Sequence, residues 1–168
     1  MKKHLKRPPL NNYTIREADK PSDFGFPYFT SNSGGRFNLI KTPSNIFEAH
    51  SILRNKEYEF AFTANSDFKE IKGSGYDPEI GKTIMRFIKN ILDDEPNKII
   101  IYNCSDSGGR RSSRARAFKR WYEGFIDSNK YHMANFNDDE YTYHFAVVLS
   151  KNNKYFDLFM KERSSFFA

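Results

Sequence analysis

The strongest constraint on the fold is the alternation of strand-like and helix-like segments in the middle of the chain. A short apolar run over residues 98–104 lies between two longer segments, 77–92 and 110–125, whose apolar residues recur at helical spacing. Such a run suits a strand covered on both faces, and a strand–helix–strand–helix order implies crossovers with some parallel pairing. The centre of the sequence therefore predicts an α/β domain.

The flanking segments predict further strands and a last helix. Alternating or β-rich stretches predict strands at 12–16, 28–30, 36–41, 57–63, 131–136 and 141–149, and residues 155–167 have the spacing of a terminal helix. We expect the order β-β-β-α-β-α-β-β plus a C-terminal helix. The predicted architecture has three layers, with helices on both faces of one mixed sheet.

Length and composition predict one domain with an aromatic core. The chain has 168 residues, and its 28 aromatic residues far outnumber the 9 Val and Leu residues, so Phe, Tyr and Ile must fill most of the interior. We expect residues 1–11 to form a basic flexible tail and residues 12–168 to form a single α/β domain. A single Cys, no apolar run of about 18 residues and no N-terminal apolar segment favour a cytoplasmic protein without a membrane partner.

The net charge of +6 comes from two short segments. Residues 1–10 hold four bases and no acid, residues 110–120 hold six bases and no acid, and the other 147 residues sum to −4. The body of the protein is therefore not basic. This distribution favours a local anion site over a general nucleic-acid surface, and nucleic acid is the second choice of partner.

The predicted helix at 110–125 divides its bases between two faces. Steps of about 100° per residue place Arg110, Arg111 and Arg114 in the same sector as the apolar side chains. The solvent sector holds Arg116, Lys119 and Arg120. Buried guanidinium groups need an anionic partner, which is either an internal carboxylate or a bound phosphate or carboxylate. Arg110, Arg111 and Arg114 are therefore candidate anion-binding residues.

A glycine-rich segment precedes the first predicted helix. Lys72-Gly-Ser-Gly75 is followed by Ile80-Gly81-Lys82, and glycines beside a helix start allow phosphate to approach the backbone. Candidate ligand-binding residues are Gly73, Gly75, Gly81 and Lys82. The alternative is a flexible loop with an incidental glycine. The spacing is one residue too long for a Walker-type loop.

A second strand-to-helix loop, Cys104-Ser-Asp-Ser-Gly-Gly-Arg110, has the C-x5-R form of cysteine-dependent phosphatases. In that interpretation Cys104 is the nucleophile and Arg110 holds the phosphoryl oxygens. The alternative for Cys104 is a small core residue. Neither the four His residues nor the single Cys have metal-ligand spacing, so no metal site is predicted.

The predicted order from Arg36 to Leu149 resembles the GNAT superfamily of acyl-CoA N-acyltransferases. Lys72-Gly-Ser-Gly75 with Ile80-Gly81 is similar to the pyrophosphate loop of that family, with three residues inserted, and the segment 115–125 is similar to its second helix. The resemblance implies acyl-CoA as co-substrate, no covalently bound cofactor, and acyl transfer to an amine. It suggests Glu59 as the base and Tyr122 as the acid. Glu59 is otherwise a solvated strand residue.

The segment 100–122 also resembles a small family of uncharacterised bacterial proteins, mainly from Bacteroidetes. That resemblance is closer in residue detail and brings no activity. The sequence thus predicts a GNAT-like domain that binds a phosphate-bearing small molecule. The alternatives are a non-catalytic module that binds anions or nucleic acid and a phosphatase that uses Cys104.

Overall fold

A computed structural model describes most of the domain. The described residues are 13–17, 26–32, 34–44, 46–47, 52–64, 78–103, 111–138 and 143–164. Within them the strands are β1 (Tyr28–Thr30), β2 (Arg36–Pro43), β3 (Glu57–Ala64), β4 (Ile99–Asn103), β5 (Tyr131–Asp138) and β6 (Tyr143–Ser150). The helices are α1 (Pro78–Asp94), α2 (Arg111–Phe125) and α3 (Phe156–Glu162). The basic tail proposed for residues 1–11 lies outside the described residues.

These strands form one mixed sheet in the order β1-β2-β3-β4-β6-β5. β3 and β4 pair in parallel, and every other neighbouring pair is antiparallel. α1 follows β3 and α2 follows β4, as the predicted order requires. The α/β class and the mixed sheet are therefore confirmed.

Local sequence explains where these elements begin and turn. β1 and β2 form an antiparallel hairpin that closes at Thr30 and Arg36. Its turn contains Gly34, whose φ of +85° is a conformation that favours glycine. α1 begins at Pro78 and carries Glu79 in its first turn, in agreement with the preference of proline and acidic residues for helix starts.

The two faces of the sheet are covered by different helices. α1 and α2 pack on one face against Phe60, Ile100 and Val148, in a cluster to which α1 contributes Ile84 and α2 Phe118. On the other face α3 packs on alternate residues of β4 and β6, such as Ile101 and Val147, in a cluster that includes its own Phe159. The three-layer prediction is confirmed, because the helices lie on both faces of one sheet.

Two predicted elements differ from the structure. In place of a strand at 12–16, there is a single bridge between Arg16 and Tyr28. The backbone groups of Tyr13 pair with α1 instead: its N–H donates to Thr83 Oγ1 at 3.0 Å, and its carbonyl accepts from Arg86 at 2.7 Å.

The terminal helix is shorter than the predicted 155–167. α3 ends at Glu162, and the next two residues form a turn. Ser164 lies in that turn, where a serine side chain competes for backbone hydrogen bonds and weakens helix continuation. Residues 165–168 lie outside the described residues.

Candidate functional site

The candidate site lies at the edge of the sheet where β3 and β4 end. The β3–β4 ladder runs from Glu57 and Ile99 to Phe60 and Tyr102. β3 stays paired with β2 up to Ala64, whereas β4 ends at Asn103. The last residues of β3 therefore have no partner in β4. Ligands of α/β sheets commonly bind at such carboxyl ends, and this position supports a binding site here.

Several predicted site residues belong to the segments that follow these strand ends. Gly73, Gly75, Cys104 and Arg110 lie outside the described residues, and the side chain of Arg111 is likewise not described. The binding role of the glycine loop and the phosphatase role of Cys104 stay predictions.

Gly81 has a packing role in the first turn of α1. A Cβ atom added to this buried glycine would lie 2.2 Å from Cδ1 and 2.4 Å from Nε1 of Trp121. That separation is far below van der Waals contact, so only glycine lets the indole ring approach α1 so closely. The ligand-binding role predicted for Gly81 stays a prediction, and the structure shows in addition that this glycine allows the close contact between α1 and α2.

Trp121 carries an unpartnered donor beside this first turn. The residue is 8% exposed, and among the residues that the structure describes its indole Nε1 has no hydrogen-bond partner. Such a buried N–H costs free energy unless another group accepts from it. Trp121 also contacts Phe62, with ring centroids 5.9 Å apart, and Phe62 lies beyond the last β3–β4 pair. The donor therefore lies next to the candidate edge and was not predicted from sequence.

Aromatic rings fill the space behind this edge. Tyr102 stacks on Phe118 at 4.0 Å and on Phe62 at 5.9 Å between ring centroids. Because these rings come from β3, β4 and α2, they fix the ends of the two strands against the helix. They give the candidate site an apolar floor.

The two proposed acid–base residues lie on opposite faces of the sheet. Phe60 points toward α1 and α2, so strand alternation puts its neighbour Glu59 on the α3 face. Tyr122 lies in the cluster on the α1–α2 face. The structure therefore does not bring Glu59 and Tyr122 together around one substrate.

Tyr122 is also engaged in a structural hydrogen bond. Its hydroxyl donates to the Tyr131 carbonyl at 3.0 Å. Burial, with a smaller effect of the Asp127 charge, raises the pKa of Tyr122 to about 12. This hydroxyl holds its proton firmly and ties the end of α2 to β5.

The described side chains of α2 divide between a buried face and an exposed face, and of the three arginines predicted on the apolar side only the side chain of Arg114 is described. Phe118, Trp121 and Tyr122 are buried, and Arg114 is half-buried on the stripe of Phe118 and Trp121. The opposite face exposes Arg116, Lys119 and Arg120. There Arg116 donates to Ser113 Oγ at 3.2 Å, and Lys119 pairs with Glu123 at 3.8 Å. Arg114 and the half-buried Lys82 of α1 are thus the described cations nearest in sequence to the two helix starts.

Neither a metal site nor a membrane span is found in the described part of the chain. No group of three or more His, Cys, Asp or Glu residues there could hold an ion. None of the helices described combines the length and apolar character that a membrane crossing requires.

Comparison with known proteins yields a single family. A model described as "Family of unknown function (DUF6169)" matches residues 76–164, just over half of the chain. That range begins just before α1 and ends just after α3, so it includes β4, α2, β5 and β6. A search of curated proteins and a search of solved structures each found no match.

Proposed function

Because the chain belongs to this family of unknown function, we propose a function from its own geometry: a GNAT-like domain that binds a phosphate-bearing small molecule where β3 and β4 end. Acyl-CoA is the most specific candidate. The observation that carries the proposal is the pair of parallel strands whose ladder ends at Phe60 and Tyr102, each strand followed by a helix. The GNAT resemblance itself was drawn from the element order, from Lys72-Gly-Ser-Gly75 with Ile80-Gly81, and from the segment 115–125.

A phosphate group at this place would meet hydrogen-bond donors and positive charge. The first N–H groups of a helix lack intrahelical acceptors, and the dipole places partial positive charge at that end. α1 is 17 residues long, so this effect is fully developed at Pro78. The unpartnered, buried N–H of Trp121 lies against the same turn. Arg114, which is half-buried on the same stripe of α2 as Phe118 and Trp121, supplies a cation.

Acyl transfer would require a reaction in addition to the binding of acyl-CoA. An amine would attack the thioester carbonyl, the C–S bond would break, and the thiolate would leave with a proton. Glu59 and Tyr122 lie on opposite faces of the sheet, so the proposal assigns them no joint role. Binding of the phosphate-bearing ligand is the first claim to test.

Calorimetric titration of the full chain with CoA, acetyl-CoA and pantetheine tests the binding claim. We expect CoA and acetyl-CoA to bind and pantetheine, which lacks the phosphates, to bind far more weakly. Arg114→Gln should weaken CoA binding about tenfold, because a charge-assisted hydrogen bond contributes on the order of 1.5–3 kcal/mol. Arg116→Gln removes the same charge two residues away on the exposed face, and its affinity should stay within about twofold of wild type.

Other results would overturn the proposal. Absence of heat for both CoA compounds, or equal binding of pantetheine, would contradict a phosphate site. If instead a nucleic acid binds with a steep salt dependence, and Arg116→Gln weakens it more than Arg114→Gln, the exposed face of α2 is the binding surface. That result would favour the non-catalytic alternative, which the exposure of Arg116, Lys119 and Arg120 supports.

A further inference from the structure

A separate cleft lies at the opposite end of β4. It has a volume of about 220 Å³ and lies between the α1–β4 turn and the β6–α3 turn. Its lining consists of Lys56, Glu95, Pro96, Asn97, Lys98, Lys154 and Tyr155. The five residues of β4, at about 3.3 Å each, separate it by about 16 Å from the edge where β4 ends. The cleft is therefore distinct from the site proposed above.

Positive charge dominates this cleft. Lys56, Lys98 and Lys154 line it, and among the described residues none of these three ammonium groups forms an ion pair with a carboxylate. Lys98 instead donates to the Asn55 carbonyl at 3.2 Å. Three lysines that share one concave surface repel each other unless an anion lies between them.

The one carboxylate in the lining is already engaged on its other side. Glu95 accepts from Lys41 at 3.3 Å and from the Tyr58 hydroxyl at 3.0 Å. Lys41 lies outside the lining, and Glu95 also interacts electrostatically with Lys98 inside it. Even so, the three lysines of the lining outnumber its one carboxylate, so the cleft keeps an excess of positive charge.

An aromatic ring forms part of the same wall. Lys154 Nζ lies 4.9 Å and Lys56 Nζ 5.8 Å from the centre of the Tyr155 ring. A hydrogen bond from Lys154, together with the charges of Lys154 and Lys56, lowers the pKa of Tyr155. Two of the three lysines are thus close to this one ring.

Hydrogen bonds between the two turns hold the cleft in shape. The Lys154 N–H donates to Asn97 Oδ1 at 3.0 Å, and Asn153 Nδ2 donates to the Lys98 carbonyl at 3.1 Å. Asn153 is only 4% exposed, and its Oδ1 accepts from the Tyr155 N–H at 2.8 Å. Because these bonds fix the backbone of Lys98, Lys154 and Tyr155, the cations are attached to a preorganised frame.

We propose that this lysine cleft, formed by Lys56, Lys98, Lys154 and Tyr155, binds the phosphate group of a small molecule. Lysine recognises phosphate as a point charge, and several ammonium groups around one concave surface match an anion with more than one charge. The Tyr155 ring offers an apolar surface to the organic part of the ligand. The small, concave volume suits a phosphate or pyrophosphate group better than the backbone of a nucleic acid.

Amide NMR of the full chain, titrated with pyrophosphate at low ionic strength, tests this proposal by position. We expect saturable shifts at Asn97, Lys98 and Tyr155. The double variant Lys56→Gln/Lys154→Gln should weaken this binding at least about tenfold. Lys151→Gln removes an exposed lysine outside the lining and should change the affinity by less than about twofold.

The same experiment separates this site from the one at the start of α1. Shifts at Ile80 and Gly81 belong to the proposed CoA site, and Arg114→Gln should remove them while the shifts at Lys98 and Tyr155 remain. Failure of one site therefore leaves the other testable.

The cleft proposal is overturned if pyrophosphate gives no saturable shift at Lys98 and Tyr155, or if Lys151→Gln weakens binding as much as the double variant. Tighter, more extended binding of an oligonucleotide over these amides would also overturn it, because a nucleic acid would then be the partner.

Discussion

At the scale of single residues, the contact between Gly81 and Trp121 determines how closely α1 and α2 pack. Gly81→Ala would place a methyl group 2.2 Å from Trp121 Cδ1. Alanine is the better helix former by about 1 kcal/mol, but overpacking of a core costs about 1–3 kcal/mol, and this overlap is severe. We expect a lower free energy of unfolding, measured by urea denaturation with fluorescence of the one Trp.

Gly124→Ala is the matched control for that substitution. Gly124 lies in α2, is exposed, and has no atom within 4 Å of an added Cβ. The same change there gains helix propensity without overlap and should raise the free energy of unfolding by up to about 1 kcal/mol. Two alanine variants of equal stability would contradict the packing role of Gly81.

At the scale of elements, Glu57 links β3 to the segment before it. The side chain is 1% exposed; Oε1 accepts from the Phe47 N–H at 3.2 Å, and Oε2 has no partner within the described part of the chain. Glu57→Ala removes the acceptor and should lower the free energy of unfolding by about 1–3 kcal/mol. Glu57→Gln keeps an acceptor for Phe47 and removes the carboxylate charge, so it should retain at least the stability of the wild type. Equal losses in the two variants would show that the second oxygen has a partner the structure does not contain.

The elements themselves were largely predictable, and the deviation near residue 13 has a long-range cause. The continuous apolar run predicted β4, and the 3.6-residue period predicted which side of α2 is buried. The contact of Tyr13 with α1 was not predictable, because Thr83 and Arg86 lie some 70 residues away in sequence. The spacing of apolar residues predicts which side of an element is buried, but it does not predict which distant side chain a backbone N–H will bond to.

The candidate sites also divide into one that local sequence predicts and one that depends on contacts between distant segments. The edge at the ends of β3 and β4 was predictable because strand–loop–helix order and glycine placement are local signals. The lysine cleft was not, because its residues come from three separate turns that only the sheet topology brings together. The opposite faces of Glu59 and Tyr122 likewise required knowledge of which face α2 covers.

At the scale of the whole molecule, His132 makes stability depend on pH. Burial, together with the positive charges of Arg163 and Lys151, lowers the pKa of His132 below 6.5. None of the described residues forms a hydrogen bond with its Nε2, and Phe156 of α3 packs edge-on against the ring. The unfolded chain therefore binds a proton near pH 6.5 that the folded protein accepts only at lower pH. Stability is full above that value and decreases as pH falls through it.

The pH dependence of thermal unfolding tests this linkage. Between pH 7 and pH 5 we expect the Tm of the wild type to decrease and that of His132→Gln, which cannot titrate, to change less. Asp93 acts in a separate, more acidic window: burial raises its pKa, but hydrogen bonds from Lys89 and Tyr131 outweigh that effect and lower the pKa overall, below 3.8. Its contribution to stability is therefore lost as pH falls below about 5. If Tm decreases equally with pH in the wild type and in His132→Gln between pH 7 and pH 5, His132 is excluded as the group that couples protonation to the packing of α3 on the sheet.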